Sequence, residues 1–506
     1  MKLPYDALLH VISSFSYSKD AIQLIATCRV LYHEGPKIAL KKAVIISTEK
    51  QLALFLKFLL ADNSSRCRYL KQLELRPCFS EQDAVQELVE TVPLLTSLEY
   101  LKLFEVDALL DLHPNLLSAF CALTTLRHIN FTGLKADACG FLSGIRSPLI
   151  SASFDFLPED GQKLWYDLSD DEWVQFHPAN LLGNFAPTLE ELQCVAWYTD
   201  YETVTPTTVF PNMRKLSIEL HEFPLRIDPF IRAFPHLTDL RLNTDYHSGR
   251  YSDDMRNSHV TNVAQQLDPV SSCGTWEHLE HVRGCLFDIY AVGITFHIRW
   301  VTIVDSLDDG PKTEMLATVL RYARLLHLKI EGVTGALLGD ADRGFIAMLR
   351  HASVSGLLNL DVCVYFGEND REKDLAAVIE SLVSTLAGLS LKFLELRFVT
   401  RDLDPTPESP GDLERMMARQ RGLPEPPDPT PAPLTPAELS LQTLDMDVLI
   451  SRLEAMPSLE AAHVVLHGSR YCGWEGHDRT ISKGGAWLAV REQWESWIPG
   501  MNRIVL

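Results

Sequence analysis

The hexapeptides "LKQLEL" (70–75) and "LEYLKL" (98–103) decide the fold, because they are one pattern repeated 28 residues apart. Apolar residues stand at positions one, four and six. In an extended chain, positions four and six then share one face, and positions three and five share the other. The same pattern continues as "LRHINF" (126–131), "LISASF" (149–154), "LEELQC" (189–194), "MRKLSI" (213–218) and "LTDLRL" (237–242). Later copies are "IRWVTI" (298–303), "LLHLKI" (325–330), "LLNLDV" (357–362), "LKFLEL" (391–396) and "LEAAHV" (459–464). "LEHVRG" (279–284) and "MNRIVL" (501–506) are poorer copies.

Neighbouring copies lie 23 to 32 residues apart in most places, the period range of leucine-rich repeats. Between several of them runs a helix-like segment, such as "EQDAVQELVETV" (81–92). A strand-plus-helix unit of this length leaves an apolar flank that only the next unit can cover. The expectation is an α/β chain: an irregular, leucine-rich-repeat-like solenoid over 46–506, with parallel strands on the concave face and helices outside. Short apolar patterns also recur by chance, so a generic α/β sheet is the alternative. One departure stands out. The position three after the last apolar residue, where such repeats place Asn or Cys, holds Cys78, Val106, Leu134, Leu157, Trp197, His221 and Asp245. Without an asparagine ladder the turns must be satisfied in some other way.

Positions three and five are the expected binding face. They include Tyr100, Lys102, Asn130, Gln193, Arg241, Trp300, Thr302, Lys329, Asn359, Asp361 and Phe393. Tyr100, Lys102, Arg241, Trp300, Lys329 and Phe393 are the candidate substrate contacts, since aromatic and arginine anchors dominate protein interfaces. Each could equally pack against a loop of its own chain.

Residues ahead of the repeats differ in character. "LPYDALLHVISSF" (3–15) and "DAIQLIATCRVLYHEGPKIALKKAVII" (20–46) read as three short helices, the third after Gly35-Pro36, running into a strand. They carry more apolar positions than so small a unit can bury. This segment resembles an F-box, at Leu3-Pro4, Leu8, Ile12, Asp20 to Leu24, Cys28-Arg29, Leu31-Tyr32 and Leu40 into Val44–Ile46. The resemblance implies an F-box domain over 1–45 that docks a Skp-type adaptor and, through it, a cullin. Leu3, Pro4, Leu8, Ile12, Leu24, Cys28 and Leu31 would then divide between the adaptor interface and the small core. The layout implied is that of a substrate receptor of an SCF-type ubiquitin ligase. A non-degradative F-box scaffold is the alternative.

Charge bears on partners. The chain has 46 Lys+Arg and 67 Asp+Glu, a net of -21. Residues 1–76 hold 12 basic and 6 acidic side chains, so the remainder carries -27. Such a body repels phosphate backbones, and nucleic acid is not an expected partner. The most apolar run, "LALFLKFLL" (52–60), is far below spanning length, and no membrane association is expected. No secretory signal is recognisable, and the ten cysteines include no CxxC pair, so a cytoplasmic or nuclear protein is expected.

Long spacings interrupt the repeats at 155–188, 243–276 and 404–436. The last holds 10 of the 28 prolines and reads as a flexible surface excursion, with a short helix in "GDLERMMARQRG" (411–422). Little points to bond chemistry. "GALLGDADRG" (335–344) lacks the Lys-Ser/Thr of a phosphate loop, and "HLEH" (278–281) puts two imidazoles three apart but inside a strand entry and without a carboxylate pair to work with them. "CGWEGHDR" (472–479) offers Cys472, Glu475, His477 and Asp478, which could serve a metal-dependent enzyme but are ordinary loop residues more often. No catalytic residue, metal site or cofactor is assigned.

Overall fold

The computed structural model describes residues 5–14, 18–76, 82–157, 177–196, 208–221, 225–244, 252–268, 274–308, 310–339, 344–406, 412–420, 432–467 and 477–483. The chain forms two compact units, Met1–Leu279 and Glu280–Leu506. Residue 45, where the sequence suggests a boundary, lies within the first strand, Ala43–Ile46.

The first unit carries eight strands: β1 (Ala43–Ile46), β2 (Gln72–Leu75), β3 (Tyr100–Leu103), β4 (His128–Phe131), β5 (Ser151–Asp155), β6 (Glu191–Val195), β7 (Lys215–His221) and β8 (Asp239–Thr244). Each is parallel to the next in chain order. The second carries β9 (His281–Gly284), β10 (Trp300–Leu307), β11 (His327–Thr334), β12 (Asn359–Tyr365), β13 (Phe393–Val399) and β14 (Ala461–His467), also parallel and in order. A final strand, β15 (His477–Ser482), runs antiparallel to β14.

Every hexapeptide copy among the described residues is a strand, and the copies align position for position. Gln72 pairs with Tyr100, Tyr100 with His128, and so on to Asp239, all at position three. In the second unit the same row runs His281, Trp300, His327, Asn359, Phe393. Positions one, four and six are buried throughout, as in Leu98, Leu101 and Leu103 or Leu391, Leu394 and Leu396. Each such side chain contributes roughly 1.5–3 kcal/mol of transfer free energy before entropy is subtracted. Parallel neighbours need crossovers, and helices supply many of them. Helix Leu375–Leu386, between β12 and β13, buries Leu375, Ile379, Leu382, Val383 and Leu386 at helical spacing, and Asp374 caps its N-terminus.

The missing asparagine ladder is replaced by backbone geometry. At or just past the ends of four strands of the first unit, the residue at position eight adopts a left-handed conformation: Glu105, Gly133, Ala196 and, within the last residues of β7, Leu220. The chain turns there, and amides reach the neighbouring turn, Val106 N to Thr132 O at 3.0 Å and Ala196 N to Glu219 O at 2.8 Å. Val106 and Leu134, where an asparagine would stand, are buried apolar residues instead. Only Gly133 has the residue type that a positive φ favours. A Cβ there would also lie 2.9 Å from the Cα of Glu105.

Three helices precede β1: α1 (Tyr5–Ser14), α2 (Ser18–Ile25) and α3 (Arg29–Ala39). The third starts earlier than the sequence suggests. Its N-cap is Cys28, and Gly35-Pro36 lies in its interior. Gly35 is required where it stands, because a Cβ would run into the side chains of Ile25 and Ile12. Pro36 has no amide hydrogen, so it cannot occupy the carbonyl of Tyr32, four residues back. Arg66 does so, its Nη2 donating to Tyr32 O at 3.4 Å while Nη1 donates to Phe58 O at 3.2 Å. The same guanidinium lies 4.3 Å from the Tyr32 ring centroid and 4.5 Å from that of Phe58. Helix α4 (Glu49–Leu60), which supplies Phe58, follows β1. The head is thereby fastened to the first repeat.

The Pro-rich excursion is described at 404–406, 412–420 and 432–436. Helix Asp412–Gln420 matches the expected short helix, and Ala432 N donates to Thr406 Oγ1 at 2.9 Å. No helix among the described residues is long and apolar enough to cross a membrane.

Candidate functional site

Two surfaces take up the residues singled out from the sequence. The first is the head. Ile12, Ile25 and Leu31 form its small core, with Leu8, Leu24 and Cys28 packed half-buried around them. Of the seven adaptor candidates, Ile12 and Leu31 are therefore core residues, sealed by the helices themselves. Leu8, Leu24 and Cys28 retain exposed surface. Leu3 and Pro4 lie outside the described residues. Val11 and Val30, 41% and 38% exposed, are open apolar side chains on α1 and α3. Helical spacing alone singled out neither, since it marks a buried stripe more readily than its margin.

The second is the sheet face bearing positions three and five. Tyr100 and Lys102 stand on β3 of the first unit, with the Lys102 Nζ 4.6 Å above the Phe104 ring. Burial, with Glu74 nearby, raises the Tyr100 hydroxyl above its usual pKa. Arg241 on β8 pairs with Asp239 at 3.0 Å. In the second unit, Trp300 on β10 stacks on His327 of β11, and Phe393 stands on β13 in the same row. The geometry thus distributes the six candidates, three to each unit, on faces of the same kind.

The second unit's face also carries an ion-pair network. Asp361 is almost fully buried yet faces Lys329 at 3.4 Å and Arg397 at 3.2 Å. Asn359, Asp361 and Thr302, expected to be solvated, are instead sealed by their own neighbours on this face. Burial raises the Asp361 carboxyl despite the two cations. His463 on β14 joins Glu395, 3.7 Å from Nδ1, to Asp478 of β15, 2.9 Å from Nε2. Burial pushes Glu395 upward, but the His463 imidazole and Arg397 outweigh it and hold the carboxyl low. Arg283 and Lys329 flank Glu331 at 3.5 and 4.0 Å. The pairs of Asp361 with Lys329 and Arg397, of Arg283 with Glu331 and of His463 with Glu395 join strands 30 or more residues apart in the chain, so local charge spacing did not mark them.

Catalytic geometry is sparse. No group of three or more potential metal ligands is found among the described residues. His281 Nε2 lies 3.4 Å from Thr302 Oγ1, and the His278 ring packs on that of His236. Residues 472–476 of "CGWEGHDR" and 340–343 of "GALLGDADRG" lie outside the described residues, while Asp478 is engaged by His463. The described cysteines have no disulfide partner, and burial raises the Cys121 thiol to about 11 and the Cys139 thiol to about 12. What the arrangement offers is two half-exposed polar and aromatic faces on rigid strands, and an apolar margin on the head. No family model matches the sequence, and no curated protein is significantly similar to it.

Proposed function

We propose that the chain is a substrate-recognition subunit of an SCF-type cullin-RING ubiquitin ligase. In this reading the three-helix head is an F-box that docks a Skp-type adaptor and through it the cullin. The strand array is a leucine-rich-repeat-like solenoid that holds a protein substrate, and the protein works in the cytoplasm or nucleus without performing bond chemistry itself. Its contribution is effective concentration and orientation of the substrate.

The observation that carries this reading is the head. It completes a core of its own around Ile12, Ile25 and Leu31, yet leaves Val11 and Val30 open beside half-buried Leu8 and Leu24. Apolar side chains left over from a finished core are free for a foreign chain.

The test is capture of a Skp-type adaptor by the full chain and by Val11→Asp and Leu8→Asp variants, with folding followed by circular dichroism. Wild type should recover adaptor, and folded Val11→Asp should lose most of it. Equal recovery from wild type and both variants would sink the proposal. Recruitment of cullin by the captured adaptor then separates a ligase receptor from a non-degradative scaffold.

A further inference from the structure

The proposed function leaves open which polypeptide chemistry the array accepts; the following inference rests on that reading and narrows it. On the sheet faces, buried and half-buried carboxylates are generally matched by a cation of the same face: Glu191 by Lys215, Asp239 by Arg241, Asp361 by Lys329 and Arg397. Glu74 lies beside Lys102, its register partner. Asp155 of β5 and Glu219 of β7 break this rule. They share a row, each the register partner of Val195 on the strand between them.

Their hydrogen-bond donors are neutral. Asp155 accepts from the Leu157 amide at 2.9 Å. Glu219 accepts from Gln193 Nε2 at 3.0 Å and Ser217 Oγ at 3.2 Å. These donors orient the carboxylates and leave their charge uncompensated, with no cation within ion-pair distance among the described residues. Burial, with Glu219 nearby, raises the Asp155 carboxyl above its usual value. Holding two carboxylates around a half-buried valine disfavours the folded state, so the arrangement is stabilised by an incoming positive charge. Next to them, β4 and β5 present Asn130, Ser151 and Ser153 on the same face, short neutral side chains across which an extended chain can lie. Beyond these stands Tyr100, half-exposed. The net charge of -27 outside the first 76 residues draws cationic chains toward the body.

We propose that the open face of the first unit binds an extended basic polypeptide segment, with a lysine or arginine seated over Val195 between Asp155 and Glu219.

The experiment uses the full chain with captured adaptor and three fluorescent peptides of equal length, alternating serine with lysine, glutamine or glutamate. Anisotropy should report binding of the lysine peptide alone. Asp155→Asn/Glu219→Gln should weaken it about tenfold or more, as loss of charge-assisted contacts requires. Asp83→Asn/Glu87→Gln, which removes the same charge from the exposed side of helix Gln82–Thr91, should leave binding within about twofold. The Asp155/Glu219 variant should melt no lower than wild type, because it relieves repulsion. Equal affinity for the glutamine peptide, preference for the glutamate peptide, or equal losses in both double variants would overturn the inference. Adaptor recovery, read in the same samples, separates the two ideas. A protein that holds adaptor and ignores the lysine peptide refutes only this inference, whereas failure to hold adaptor refutes the ligase reading.

Discussion

Trp300 and His327 lie one over the other on β10 and β11, ring centroids 3.6 Å apart and planes 13° from parallel. They are register partners at position three, so the repeat itself brings them face to face. Burial, helped by Arg299, lowers the His327 pKa from 6.5 to about 4, and the imidazole stacks in its neutral form. The folded-state value is depressed, so the unfolded chain takes up the proton first. Stability should therefore fall as pH drops from 6.5 toward 4. Urea unfolding across that range should show a shallower acid slope for His327→Gln than for wild type. An unchanged slope would assign the acid sensitivity elsewhere.

Arg66 and Pro36 form a linked pair. If Arg66 takes the Tyr32 carbonyl because Pro36 cannot, Arg66→Met should cost about 2 kcal/mol, with two donors lost from a buried site. Pro36→Ala should restore part of that loss in the Arg66→Met background, since an alanine at this position supplies the missing amide. Denaturation of the four proteins gives the coupling directly, and additive effects would contradict the linkage.

Gly133→Ala meets two obstacles at once, a left-handed backbone and the Glu105 Cα at 2.9 Å. A loss of about 1–3 kcal/mol is expected. Ala196 already holds a similar φ of 54°. The conformation alone is therefore tolerable, and the loss at Gly133 should exceed that from an αL alanine. Thermal unfolding of the variant checks this, and a change near zero would show that the neighbouring turn yields.

His463 should respond to pH in the direction opposite to His327. Glu395, against the effect of burial and with help from Asp478, raises its pKa above 6.5. The stability that the charged imidazole contributes is complete below pH 6.5 and is lost as pH rises through the folded-state value. The advantage of wild type over His463→Gln should therefore shrink between pH ~6 and ~8. Hydrogen exchange of the β14–β15 amides reads the same loss locally. A pH-independent difference would mean that the residue acts only through packing.

The strand array was legible because period-two burial leaves its mark in each hexapeptide, and even the poor copy at 279–284 is a strand. β15 was not, because "HDRTIS" carries one apolar residue, Ile481, and its place is set by pairing with β14. The turns were also hidden. Glu105, Ala196 and Leu220 are not residues that announce a positive φ, and neighbouring backbone hydrogen bonds hold them there. In the head, Gly35-Pro36 looked like a helix start, and only the tight approach of Ile12 and Ile25, with the substitute donor from Arg66, explains their place inside α3. The face residues were legible as a set, since alternation names them. Which of them neutralise one another was not, because Asp361 meets Lys329 and Arg397 only through register.

Within each unit the parallel strands follow one another in the order in which a ribosome delivers them. A nascent chain can therefore lay each new ribbon against the one just finished, with no distant segment to await. The same property means that an in-frame deletion of one whole module would let its former neighbours meet along like edges, shortening the sheet by a single rung while leaving the remaining rungs aligned.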